Sequence, residues 1–230
     1  MPTVAQIRRL FAPILAANPG LVLNGRWLFR PPIATAVCGL HIGRTSSAWA
    51  ADIVFSVIPL SRFLPSSAVG FEVPFVVTDT TADEPRILDD VFAPDYQAKL
   101  LANFDAKAKP FFDSVTTFAG IAQWVSRFRE PPLRMTAIER VDAWLCAMRG
   151  DFAAAATHLK ALSDRRAASG HAAEDDVTML EGEAQRVLRT GDPTAIANFL
   201  HDLERRTVTA YGLARHWQPT PFPFEQTPTA

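Results

Sequence analysis

Two hydrophobic periods are segregated along this chain. Between Leu21 and Thr78 the apolar residues form runs rich in β-branched and aromatic side chains, cut by proline, serine and glycine. Beyond Pro94 they recur every three or four residues over long stretches. Segregation of this kind excludes the strand-helix alternation of a parallel α/β sheet and points to an α+β fold. The expected architecture is an N-terminal helix on an antiparallel meander of about four strands, followed by a C-terminal bundle of α-hairpins. Three stretches are expected: a sheet part over 1–93, a helical part over 94–217 and a proline-rich tail over 218–230.

The first helix is read from Val4, Ile7, Leu10, Phe11, Ile14 and Leu15, which share one face, and it ends at the breaker Asn18-Pro19-Gly20. Arg8-Arg9 before a short apolar stretch faintly resembles a signal peptide, but Pro13 and the helical spacing favour an amphipathic helix. Strands are then expected over Leu21 to Arg30, Ile33 to Arg44, Trp49 to Leu60 and Phe71 to Thr78. Ile53 to Ile58 is apolar on both faces apart from Ser56, as in a central strand, whereas Pro74 cannot donate to a ladder and fits an edge. An acidic connector runs from Thr78 to Pro94.

In the helical part, Pro94 is expected to open a helix that Lys109-Pro110 stops, and Asp113 or Ser114 to cap the next. Thr136 to Glu139 spells a capping box ahead of Val141, Trp144, Leu145 and Met148. Two Gly-Asp turns, Gly150-Asp151 and Gly191-Asp192, then lie about 40 residues apart, each with an apolar helix on either side. Glycine ending one helix and aspartate capping the next predicts two antiparallel hairpins. The same chemistry accounts for the adhesion tripeptide Arg149-Gly150-Asp151. The tail, with Pro219, Pro221, Pro223 and Pro228 around Phe222 and Phe224, is expected to be extended, either folded back through the phenylalanines or free to engage a partner.

The hairpins resemble tetratricopeptide and related α-hairpin repeats: Trp144-Leu145, Gly150-Asp151-Phe152 and the small residues Ala153 to Ala156 echo their aromatic, turn and small positions. That resemblance implies a protein-binding surface. The N-terminal half, with Trp27 to Arg30, a strand ending near Ile42 to Ser46 and another ending Pro59-Leu60, is similar to small uncharacterised bacterial α+β families. Some of their members lie beside toxin genes and are regarded as immunity proteins, which implies no catalytic residue here.

Direct signs of chemistry are few. No HExxH, CxxC, GxSxG, Walker or Rossmann pattern occurs, so no metal and no cofactor is expected. Cys38 and His41 stand three apart, which on one strand puts them on opposite faces. The two cysteines are distant in sequence and fit buried thiols in a reducing cytoplasm. A net charge of -1 argues against a nucleic-acid partner, and no apolar run approaches the ~20 residues of a membrane span. Asp89-Asp90 and Glu174 to Asp176 fit a solvated connector and a helix start.

Charge is uneven, however. Up to Arg62 the chain carries six arginines against the single acid Asp52. Arg26 and Arg30 would share the outer face of one strand, with Arg44 on the next, making a basic face for a protein partner. The expectation is therefore a non-enzymatic protein-binding module of a bacterial cell, such as an immunity or adaptor protein. The alternatives are an enzyme using His41, Arg44 and Asp52 near the strand ends, or a structural component. A homo-oligomer is left open.

Overall fold

The computed structural model describes residues 2–43, 52–63, 71–74, 93, 95–127, 138–168 and 175–226, with backbone alone at 52, 71–74, 138 and 175–176. The chain divides into two compact units. One holds 1–33, 37–57 and 71–121; the other holds 34–36, 58–70 and 122–230. The helical residues up to Ile121 thus belong to the sheet unit.

In the sheet unit, α1 (Val4–Ala17) is closed at its start by a capping box: Gln6 N–H donates to Thr3 Oγ1 at 3.2 Å, and Thr3 N–H donates to Gln6 Oε1 at 2.8 Å. Ile7, Leu10, Phe11 and Ile14 form its buried face, as their spacing requires. The strands β1 (Val22–Asn24), β2 (Trp27–Phe29), β3 (Ala36–Gly43), β4 (Asp52–Pro59) and β5 (Phe71–Pro74) lie in sequence order in one sheet. The meander is as expected, with one strand more. Leu21 to Arg30 is not one strand but a hairpin, because Gly25 takes φ 62 and turns the chain so that Asn24 faces Trp27. β5, with Pro74, lies at the sheet edge, and β4 lies inside it.

The helix expected to stop at Pro110 runs on. α2 (Tyr96–Asn103) passes through a π-helical turn over Phe104–Ala108 into α3 (Lys109–Ser114). Lys109 N–H reaches five residues back to the carbonyl of Phe104. Widening the turn carries the register past a proline that has no N–H to donate. Leu100, Phe104, Ala108, Phe111 and Phe112 make the buried stripe across all three segments. α4 (Phe118–Ser126) is capped by Thr117, whose Oγ1 accepts the Gly120 N–H at 3.2 Å, and not by Asp113 or Ser114.

The second unit contains α5 (Ile138–Met148), α6 (Phe152–Ala168), α7 (Asp175–Leu188) and α8 (Pro193–Ala210), each packed on the next. Both Gly-Asp turns form. Gly150 and Gly191 take φ 85 and φ 64, and Asp151 and Asp192 accept from the N–H groups of Ala154 and Thr194 at 3.1 and 2.9 Å. Thr136 and Ala137 of the expected capping box lie outside the described residues. Val141, Trp144, Leu145, Leu159, Leu188, Ile196 and Leu200 are core residues. Residues after β4 join them: Trp144 Nε1 donates to Ser61 Oγ at 3.2 Å, and Thr207 Oγ1 donates to the Leu60 carbonyl at 2.8 Å. No helix among the described residues is long and apolar enough to cross a membrane.

Candidate functional site

The residues expected to form a basic face have separate surroundings. Arg26 lies in the β1–β2 turn, and its guanidinium donates to the carbonyls of Ile42 and Gly43, each at 3.2 Å, and of Pro2 at 2.8 Å. Those bonds tie the hairpin to β3 and to the start of the chain. Leu28, expected between Arg26 and Arg30 on an outer face, is buried together with Trp27 and Phe29. Arg30 is exposed, pairs with Asp113 Oδ1 at 3.1 Å and lies 5.9 Å over the ring of Phe112. Arg44, the acidic connector and the side chain of Asp52 lie outside the described residues.

His41 stacks on Trp27, its cross-strand partner, with centroids 4.3 Å apart. Cys38 lies on the other face of β3, and burial pushes its thiol up to about 12, far from a usable nucleophile. Neither cysteine is in a disulfide. Among the described residues no group of three or more His, Cys, Asp or Glu side chains could hold a metal ion.

The helical unit carries a concave surface. A groove of about 350 Å³ is formed by the first half of α6 and the end of α7. Phe152, Ala153, Ala156 and Leu188 supply its apolar wall, and Thr157, Lys160 and Arg189 its polar one. The small residues of α6 leave this space open, since Ala153 and Ala156 stand where longer side chains would fill it. Among the described residues no carboxylate lines it. Lys160 is braced by Asp164 at 2.5 Å, one turn further along α6, whereas the Arg189 guanidinium has no partner among the described residues. A groove with apolar walls and only cationic charges suits an acidic, partly apolar segment.

Two buried charge clusters stabilise the helices behind it. Glu181 on α7 is almost fully buried and is clasped by Arg140 from α5 at 3.1 Å and Arg166 from α6 at 2.9 Å. Both arginines approach with two nitrogens. Burial, and then the like charge of Arg166, lower the pKa of Arg140 against the pull of Glu181. Glu139 pairs with Arg165 nearby.

The second cluster is His201 and Glu204 on α8 with Glu225 from the tail. His201 Nδ1 lies 2.8 Å from Glu204 Oε2, and Nε2 lies 3.3 Å from Glu225 Oε2. Glu204 is fully buried; burial, and then the charge of Glu225, push its carboxyl up to about 8. The tail reaches this site by folding back. Phe222 is fully buried, and Phe224 meets Phe152 edge to face at 5.1 Å. Phe152 therefore belongs both to the groove wall and to the seat of the tail.

Sequence reasoning missed both clusters. The i, i+3 spacing of His201 and Glu204 was a usable sign of a paired histidine, but the return of Glu225 and the meeting of three helices at Glu181 have no local signature. Neither a family model, nor a curated protein, nor a solved structure matches this chain, so its own geometry carries the functional reading.

Proposed function

We propose that this chain is a protein-binding module whose α6–α7 groove receives an acidic segment of a partner. The observation that carries the reading is the composition of that groove: apolar walls from Phe152 and Leu188, cations from Lys160 and Arg189, and no carboxylate among the described residues. Its volume of about 350 Å³ accommodates a few side chains of a peptide, not a large ligand. The Arg189 guanidinium, without a partner among the described residues, offers a bidentate contact to a carboxylate, and the apolar wall takes a neighbouring Leu or Phe. The finer form of the reading, an immunity or adaptor protein of a bacterial cell, rests on the resemblances in the sequence.

The test is fluorescence anisotropy of the full chain with labelled peptides in which Leu and Phe alternate with Asp and Glu, beside peptides carrying Lys in the acidic positions. The acidic peptides are expected to bind at micromolar strength and the basic ones not. The double variant Lys160→Glu, Arg189→Glu should weaken binding about tenfold or more. Equal binding of both peptide sets, or an unaffected double variant, would overturn the reading.

A further inference from the structure

The strap formed by residues 218–226 carries a second device. Its contacts are specific: Phe222 stacks on His201 with centroids 4.3 Å apart, the Phe222 N–H donates to Glu225 Oε2 at 2.6 Å, and Gln226 Nε2 donates to the Pro221 carbonyl at 3.0 Å. The charged groups that face the imidazole are Glu204 from α8 itself and Glu225 from the strap. Phe222 covers one face of the ring, Phe224 stacks on Phe222, and Phe152 from α6 meets Phe224 edge to face.

Proton counting makes this cluster unusual. A neutral imidazole has one N–H and one lone pair. Here each ring nitrogen faces a carboxylate oxygen. With both glutamates ionised and the ring neutral, one nitrogen would turn its lone pair toward an oxyanion. Both contacts are favourable only when the trio holds one proton more, either on the ring, which then donates to both sides, or on Glu204, which then donates to the ring.

We propose that this shared proton holds the strap on α8, and that losing it releases the strap. Glu204 is enclosed and cannot withdraw, whereas Glu225 sits on a short 3-10 turn, Pro223–Glu225, partly open to water. Repulsion is therefore relieved by movement of Glu225, which takes Phe222 and Phe224 with it. The carboxyl of Glu204, pushed up to about 8, places the transition just above neutrality. The device rests on the contacts among His201, Glu204 and Glu225 and not on the reading of the groove.

Hydrogen–deuterium exchange of the full chain tests it, comparing about pH 6.5 with about pH 9.5 after correction for the intrinsic rate. Peptides covering 218–226 are expected to lose protection about tenfold at the higher pH, while those covering α8 do not. In Glu225→Gln the amide can donate to the ring lone pair, so strap protection should be the same at both values. His201→Gln, folded as judged by its α8 amides, should likewise show no pH step. An unchanged strap in the native chain, or a step that persists in either variant, would overturn the proposal.

Discussion

His201 and Phe222, twenty-one positions apart, lie face to face with their rings 18° from parallel. The stack covers one face of an imidazole that is gripped by carboxylates at both nitrogens. It makes the tail part of the helical core and not an appendage.

Removing that ring should therefore unfold more than the tail. Phe222 is fully buried, and Phe222→Ala is expected to cost about 3 kcal/mol, as truncating a core phenylalanine does. Urea denaturation followed by far-UV circular dichroism measures it; a loss below about 1 kcal/mol would mean that the tail is only loosely attached.

Stability should also fall as pH rises toward and past 8. The Glu204 carboxyl titrates at about 8 in the folded chain against an ordinary value of 4.5. A raised value means that the folded state holds the proton more tightly, so the gain is full below the ordinary value and is lost as pH climbs through the folded one. The expected loss between about pH 5 and pH 9 is about 2 kcal/mol, less than full conversion of the shift because movement of Glu225 relieves part of the repulsion. Glu204→Gln should flatten the profile in denaturation titrations across that range.

The Glu181 clasp predicts a cost at a charge cluster that does not line the groove. Glu181→Gln leaves Arg140 and Arg166 close together and largely buried without their anion. About 3 kcal/mol should be lost. A midpoint close to that of the native chain in guanidinium-free urea unfolding would show that the clasp is idle.

The two turn glycines separate backbone cost from packing cost. An added Cβ at Gly191 meets nothing within 4 Å, so Gly191→Ala should cost about 1 kcal/mol from its positive φ alone. At Gly150 the new Cβ would stand 3.1 Å from Phe224 Cβ, so Gly150→Ala should cost about 2 kcal/mol. Equal losses in thermal unfolding would contradict the seating of the strap against that turn.

Local chemistry is legible wherever one residue decides a backbone angle or a cap. The break after α1, the edge position of Pro74 and the two Gly-Asp turns follow from side chains acting on their immediate neighbours, and the structure has them all. The Asn24-Gly25 turn is a local sign too, and it splits an expected strand; only the π-helical turn past Pro110 sets burial, that of Phe104, above local preference.

Pairing between distant groups has no such local sign. Arg26 reads as a surface charge until β3 and Pro2 bring their carbonyls to it. Glu181, Glu204 and Glu225 read as solvated acids until folding removes their water and gives them arginines or an imidazole instead. Short-range sterics and hydrogen bonding are written along the chain; desolvation and charge pairing belong to the packed core, and they place the groove, the clasp and the strap.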